Sequence, residues 1–323
     1  MNLRLALLEV AERHRLDTAA RAQLIDLAGL QAEPALLARW LPRGLAVLAA
    51  ALFGFGVILW IAANWETLGR FGRFGLLMAF VGVMGAGAAW RPAARAPLGL
   101  LALLGIGALF AYFGQTYQTG ADPWQLFALW AVLALPLCLG ARSDVLWAPW
   151  ALVVATAVSL WVHAQVGHRW RVAPEDLGTH AAAWGMLVVL AAVLSRALQR
   201  WTGAGPWAFR TAVTLAVTAL SLSALGGLFD SPVAPHYGLG LLVLAVGAGL
   251  LCWRPAFDIF ALSAVALGLN VLIVCGVARA MFDSGGRDPI GRLLVLGLLA
   301  AGLLAASVSG ILKLARRQGA AHG

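Results

Sequence analysis

The feature that most constrains the fold is a run of about 20 residues, Gly44–Ala63, that contains no charged side chain. An α-helix rises about 1.5 Å per residue, so about 20 residues span the ~30 Å hydrocarbon layer of a bilayer. The polar residues Asn64, Trp65 and Glu66 follow the run directly. This pattern predicts a transmembrane helix that ends at the polar cluster.

Nine further stretches resemble the first, which predicts an all-α, polytopic membrane protein with about ten transmembrane helices. The composition agrees, because only 11% of the residues are charged, against about 25% in soluble proteins. This balance excludes a soluble enzyme. The predicted spans are Gly44–Ala63, Phe74–Trp90, Leu98–Tyr117, Trp124–Gly140, Val145–Val162, Leu177–Ser195, Thr211–Phe229, Tyr237–Trp253, Ile259–Ala278 and Leu293–Leu312.

The N-terminal segment is not membrane-like. Apolar residues recur at helical spacing on both sides of a break at Leu16–Thr18, and Asp17 is placed to cap the second helix. We therefore predict a cytoplasmic helical hairpin over residues 1–43, a transmembrane bundle over 44–312 and a basic cytoplasmic tail over 313–323. So small a hairpin rarely folds alone, so we expect it to dock on its own membrane domain or on a partner protein.

The distribution of Lys and Arg predicts the orientation, since cytoplasmic loops are enriched in these residues. With a cytoplasmic N-terminus, 16 of the 23 basic residues lie in cytoplasmic segments and 7 in outer loops. An even number of spans returns the C-terminus to the cytoplasm. The formal charge of +9 is thereby explained without a nucleic-acid partner.

A four-residue motif that occurs twice in the sequence suggests an internal repeat. The residues Trp90-Arg91-Pro92-Ala93 and Trp253-Arg254-Pro255-Ala256 end the second and eighth spans. A parallel repeat of spans 1–4 and 7–10 would explain this spacing. The alternative is that each copy is an ordinary helix end, with an interfacial Trp, a cytoplasmic Arg and a Pro that starts the next helix.

Polar residues gather where spans 1, 3 and 4 meet the predicted outer face. They could form a ligand-binding site at one membrane depth, with the carboxylates as acid, base or cation partner. Alternatively they anchor and cap the helices, since Trp and Tyr favour interfaces and Asn and Asp favour helix ends. The candidate residues are Asn64, Trp65, Glu66, Gln115, Tyr117, Asp122 and Trp124.

Two further polar residues belong to the ninth span. Asn270 lies in its middle, where we expect its amide to hydrogen-bond between helices; the alternative is that it lines a substrate path. Asp258 precedes the span, where we expect it to cap the helix and pair with Arg254. A role in proton transfer would require Asp258 to lie deeper in the membrane.

The sequence predicts no catalytic set, no cofactor and no metal site. The outer loop between spans 5 and 6 holds residue types that ligate zinc, but their spacing matches no metal motif. The three cysteines lie in apolar runs and are expected to be packing residues. The loop residues are His163, His168, Glu175, Asp176 and His180, and the cysteines are Cys138, Cys252 and Cys275.

Three short motifs in fixed order resemble a bacterial family of predicted membrane proteins, domain of unknown function 2157. The motifs are Ile61-Ala62-Ala63-Asn64-Trp65, Gly114-Gln115-Thr116-Tyr117 and the run from Leu126 to Pro136. The resemblance covers about Leu7–Ala151. It implies the bacterial inner membrane, a partner membrane protein and a periplasmic protein named for a Gly-Asp-Tyr motif, but no reaction.

Two functions are consistent with these residues. The first is a non-catalytic component of a membrane complex, or a protein that binds a lipid or other small ligand. The alternative is a transporter or membrane-embedded enzyme that acts on an outer-leaflet or lipid-linked substrate through the polar cluster. Ion-coupled transporters usually keep a charged residue at the midplane, and the predicted spans offer no acid there.

Overall fold

The computed structural model describes residues 3–28, 35–64, 67, 69–117, 120, 122–253, 256–283 and 289–319. These residues form thirteen α-helices, of which ten are long and apolar enough to cross a membrane. The helices are α1 Leu3–Arg13, α2 Thr18–Leu27, α3 Ala35–Ala63, α4 Arg70–Trp90, α5 Arg95–Tyr117, α6 Pro123–Ala141, α7 Asp144–Gln165, α8 Leu177–Val193, α9 Gln199–Thr202, α10 Pro206–Leu228, α11 Pro235–Cys252, α12 Ile259–Asp283 and α13 Pro289–Gly319.

The all-α membrane fold predicted from the sequence is confirmed, and each predicted span falls on one long helix. Helices α3 and α13 extend furthest beyond their predicted spans. Helix α3 begins at Ala35 and continues through Pro42, although proline lacks the N–H for one helical hydrogen bond. Helix α13 continues through Lys313 to Gly319, so much of the predicted tail is helical.

The chain divides into two units, Met1–Phe53 and Gly54–Gly323. In the first unit α1 and α2 pack together. The backbone N–H of Ala20 donates to Asp17 Oδ1 at 2.8 Å, which confirms the predicted cap of α2. Where the hairpin docks stays a prediction.

In the second unit α10 packs against four other helices, α7, α8, α11 and α12. The largest cluster of buried residues lies among α5, α6, α7, α8 and α10, and it includes the almost fully buried Trp147. A second cluster joins α8, α10, α11 and α12 around Trp184, Leu220 and Leu244. Helix α10 therefore belongs to both clusters.

The connections between consecutive spans alternate between two faces, because each span ends on the face opposite to its start. We call the face that carries α9 the inner face and the opposite one the outer face, after the predicted orientation.

A carboxylate fixes α10 to α7 at the inner face. Asp144, the first residue of α7, accepts hydrogen bonds from the backbone N–H groups of Gly205 (2.7 Å), Trp207 (3.0 Å) and Ala208 (3.2 Å). The first N–H groups of a helix have no partner within the helix and carry partial positive charge. Asp144 thus satisfies the start of α10 from a different helix.

At the outer face an ion pair joins the connection before α8 to the connection after α10. Arg171 Nη2 donates to Asp230 Oδ1 at 2.9 Å. The hydrogen bond from Arg171, aided by one with the backbone of Ser231, holds the pKa of the Asp230 carboxyl below its usual value. The pair thus links two loops that are far apart in the sequence.

This pair is expected to stabilise the fold in a pH-dependent way. A lowered folded-state pKa means that the stabilisation is fully present above the unfolded value of about 4 and is lost as the pH falls through the folded value. In detergent, wild type should therefore unfold at a higher temperature than Asp230→Asn at about pH 6, and the gap should shrink as the pH falls below about 4. A gap that is constant with pH would contradict this account.

Candidate functional site

Three of the five described residues of the predicted outer cluster, Asn64, Tyr117 and Asp122, contact residues outside the cluster. The Asn64 amide donates to the carbonyl of Trp60 at 3.0 Å and so caps its own helix. The Tyr117 ring packs on those of Phe74 and Phe113, with centroids 5.9 Å and 4.9 Å away. Asp122 Oδ1 lies 3.4 Å from His168 Nε2, and Gln115 is exposed.

The other residues of the predicted cluster are Trp124, Trp65 and Glu66. Trp124 is half-buried near the start of α6. Trp65 and Glu66 lie outside the described residues. A ligand site at the ends of spans 1, 3 and 4 therefore stays a prediction, while the capping role is confirmed for Asn64.

Asn270 forms the predicted interhelical contact. Its Nδ2 donates to Ser307 Oγ on α13 at 3.1 Å, and Ser307 Oγ lies 3.3 Å from Asn270 Oδ1. The amide and the hydroxyl thus satisfy one another between α12 and α13, where neither meets bulk water.

Asp258 is buried and caps α12, as predicted, because its Oδ1 accepts from the backbone N–H of Ala261 at 3.0 Å. Its Oδ2 lies 4.0 Å from Arg196 Nη2. The predicted partner, Arg254, lies outside the described residues. The observed pair therefore joins the turn after α8 to the start of α12.

A cavity of about 480 Å³ lies at the inner ends of α8 and α11, with α10 and α12 completing its walls. We call it the inner cavity. Arg196 and Asp258 are the charged groups among its described lining residues. Most of the other lining residues are apolar, as in Val188, Ala192, Val213, Gly247, Leu250 and Val265.

The inner cavity opens toward the bilayer as well as toward the inner face. Val188 on α8 and Leu250 on α11 line it and are also exposed on the surface of these spans. Both helices pack on α10, so these exposed residues place one side of the cavity at the lipid-facing surface. An apolar chain can therefore enter from the lipid.

A smaller cavity of about 310 Å³, the outer cavity, lies among α7, α8 and α10 toward the outer face. Its walls include Ser159, Trp170, His180 and Ser223 besides apolar side chains. Trp170, at its rim, is exposed and stacks on His163 with ring centroids 4.3 Å apart. Hydrogen-bonding side chains thus make up a larger share of the lining residues in the outer cavity than in the inner one.

Trp184 lines both cavities. Its indole Nε1 donates to Ser223 Oγ at 2.9 Å, in a buried contact between α8 and α10. The ring also lies edge-on to that of His236, with centroids 6.4 Å apart. Trp184 therefore separates the two cavities and is held in place from α10 and α11.

Two buried histidines join α8 to α11 at the outer end. His236 Nε2 lies 3.3 Å from His180 Nδ1. His180 Nδ1 also lies 3.1 Å from the carbonyl oxygen of Asp176. Gly227 makes room for the pair, since a Cβ there would lie 2.7 Å from His236 Cβ. Helices α8 and α11 thus touch at the outer end and enclose the inner cavity at the other.

The loop residues considered as metal ligands form pairs and not one cluster, and the rings of His163 and His168 lie with centroids 5.4 Å apart. His163 stacks on Trp170, His168 contacts Asp122, and His180 contacts His236. Over the ranges that the structure describes, no three His, Cys, Asp or Glu residues lie close enough to hold one ion.

Comparison with known proteins concerns the first half of the chain. Residues 9–147 match the family model of DUF2157, a predicted membrane protein. The match confirms the resemblance predicted over about Leu7–Ala151, and with the ten apolar helices it makes this a multi-pass membrane protein. Neither a curated protein nor a solved structure matches the chain.

The DUF2157 match ends before the first described residue that lines either cavity, Val158. The predicted ligand site likewise concerned the first half and missed Trp184, Ser223, Arg196 and His236, although Asp258, predicted as a polar residue of the ninth span, does line the inner cavity. The sequence contained one indication of a polar contact in this region, because His180 interrupts the apolar character of the sixth span. Its partner on α11 could not be read from spacing.

Proposed function

We propose that this membrane protein binds an anionic amphiphile, such as a lipid, with the apolar chain in the inner cavity and the headgroup beside Arg196. The observation that carries the proposal is the cavity itself, which has apolar walls, an opening to the bilayer and a charged mouth. Its volume of about 480 Å³ lies within the usual range of small-molecule sites, about 300–1,000 Å³.

The headgroup must supply the selectivity. An acyl chain gains little by moving from the bilayer into an apolar cavity, because lipid tails are as apolar as the cavity walls. Recognition therefore depends on the polar groups at the mouth. The bound molecule is defined by its charge more than by its chain.

The charges at the inner face favour an anion. Arg196 is 73% exposed, and its 4.0 Å separation from Asp258 is too long for a hydrogen bond. Arg210 on α10 lies at the same face, and its guanidinium is 5.5 Å from the ring centre of Phe260 on α12. Basic residues at a membrane surface attract anionic headgroups.

We also propose that the protein lies in a bacterial inner membrane with both termini in the cytoplasm. The bias of Lys and Arg toward one set of connections supports this orientation. A partner membrane protein or a periplasmic partner remains a proposal that the family resemblance supports.

Replacing Arg196 with Gln should weaken binding of phosphatidylglycerol about fivefold, because one basic residue near a membrane surface contributes about 1 kcal/mol. Binding of zwitterionic phosphatidylcholine should change little. Native mass spectrometry of the detergent-solubilised protein, titrated with each lipid, measures both affinities.

The matched control is Arg200→Gln. It removes the same charge at the same face, but the Arg200 side chain does not line the cavity and lies over Trp201. Equal losses for both variants would point to a general surface charge effect and would contradict a headgroup site at Arg196.

A further inference from the structure

We propose that the protein also moves its amphiphile between the two membrane leaflets, along the seam between α8 and α10, and that Trp184 is the barrier on this route. The proposal rests on the proposed function, because it needs the inner cavity to hold the amphiphile. It adds an activity and assigns the outer cavity as the second binding position.

The two cavities lie in series along one seam. On α8 the outer cavity is lined from His180 to Leu187 and the inner cavity from Trp184 to Ala192. From His180 to the end of α8 at Val193, a helix rises about 20 Å, which is most of the ~30 Å hydrocarbon layer. The cavities together therefore cover most of the membrane thickness.

Each cavity is accessible from the lipid of its own half of the membrane. Val188 and Leu250 are exposed beside the inner cavity, and Trp170 and Leu222 are exposed beside the outer one. A chain could thus enter each cavity from its own leaflet, and the residues packed around Trp184 lie between the two positions.

Polar groups mark the same seam at its two ends and at the partition. Arg196 lies at the inner end, the Trp184–Ser223 hydrogen bond in between, and His180 toward the outer end. A charged headgroup is costly to place in hydrocarbon alone. Groups that can hydrogen-bond to it along the route lower that cost.

Trp184 is the side chain that lines both cavities, and three residues determine where it lies. Ser223 accepts its indole hydrogen bond at 2.9 Å, and His236 lies edge-on to its ring. His236 is in turn 3.3 Å from His180. Movement of the amphiphile past this point requires the indole to leave its place.

The test is a lipid-exchange assay with the full-length protein in phosphatidylcholine vesicles that contain a trace of fluorescent, tail-labelled phosphatidylglycerol. A membrane-impermeant reductant added outside destroys the label in the outer leaflet, and the slower phase of quenching reports transfer from the inner leaflet. Wild type should exceed protein-free vesicles, and Trp184→Ala should speed transfer about tenfold by removing the barrier.

Two further variants make the result specific. Trp184→Phe keeps an aromatic ring but loses the hydrogen bond to Ser223, so it should speed transfer about threefold. If Trp184→Ala does not fold, the rate measured for Trp184→Phe tests the translocation proposal instead. The matched control is Trp207→Ala, which removes an exposed indole from α10 that lines neither cavity, and it should behave as wild type.

Binding of phosphatidylglycerol, measured by mass spectrometry on the same samples, separates the two proposals. If lipid is bound but transfer is no faster than in empty vesicles, the translocation proposal is overturned and the binding function stays intact. The same holds if lipid is bound but neither Trp184 variant changes the rate of transfer. Absence of bound lipid in wild type overturns the proposed function itself.

Discussion

Replacing Gly247 with Trp is expected to weaken lipid binding at least about tenfold. Gly247 lines the inner cavity from α11, and a Cβ built there would meet nothing within 4 Å. The indole can therefore occupy the space of the acyl chain without displacing the protein's own side chains, so the fold should be retained. Native mass spectrometry with phosphatidylglycerol measures the loss.

Gly249→Trp provides a closely matched control. Gly249 lies on the same helix two residues away and is exposed, and a Cβ added to it would likewise meet no atom within 4 Å, yet it does not line the cavity. This variant should bind lipid as wild type does. If Gly247→Trp binds normally, the amphiphile does not occupy the inner cavity.

The membrane architecture could be predicted because it depends on local properties of the sequence. An uncharged run such as Gly44–Ala63 has the length of a membrane crossing wherever its neighbours lie. The Asp17 cap and the Asn270 contact were also predictable, since a polar group at a helix end or in hydrocarbon must find a nearby partner. In each case one residue and its position in a span carried enough information.

The ends of the helices were harder to predict. The run of uncharged residues starts at Gly44, but the hydrogen bonding of α3 extends back to Ala35 and includes Pro42. Charge therefore marks where the hydrocarbon begins, whereas the helix ends where backbone hydrogen bonding stops. The two limits coincide only when a cap residue lies at the interface.

The cavities could not be predicted because their defining contacts join residues that are far apart in the sequence. Trp184 and Ser223 are 39 residues apart, and His180 and His236 are 56 apart. Whether they meet depends on which faces of α8, α10 and α11 pack together. The uniformly apolar surfaces of these spans leave the packing faces undetermined, because both lipid and protein neighbours are apolar.

The sequence favoured a ligand site in the outer cluster because a sequence shows residue types but not which helix faces pack together. Asn64, Gln115 and Asp122 stand out as polar residues beside apolar runs, so a pattern search finds them first. The structure directs Asn64 to its own helix. Buried residues such as Trp184 resemble ordinary span residues until their neighbours are known.

Replacing Asp144 with Ala is expected to destabilise the second unit by about 3 kcal/mol or more, since hydrogen bonds to charged groups contribute about 1.5–3 kcal/mol each and are not fully additive. The substitution leaves three N–H groups at the start of α10 without their acceptor. Thermal unfolding in detergent, followed by circular dichroism, measures the effect. Because α10 lines both cavities, lipid binding should weaken as well.

Asp283→Ala is the matched control for Asp144→Ala. Asp283 is 69% exposed, and its pairing with Arg279 follows the i,i+4 spacing of a helix surface, which contributes only about 0.3–0.5 kcal/mol.

The dependence on Asp144 should also appear at Gly205, where an added Cβ would lie 2.5 Å from Asp144 Oδ2. Gly205→Ala should therefore reproduce much of the loss seen in Asp144→Ala, and the double variant should lose less than the sum of the two, because both disrupt the same contact. Fully additive losses would show that Asp144 stabilises the protein by some means other than the start of α10.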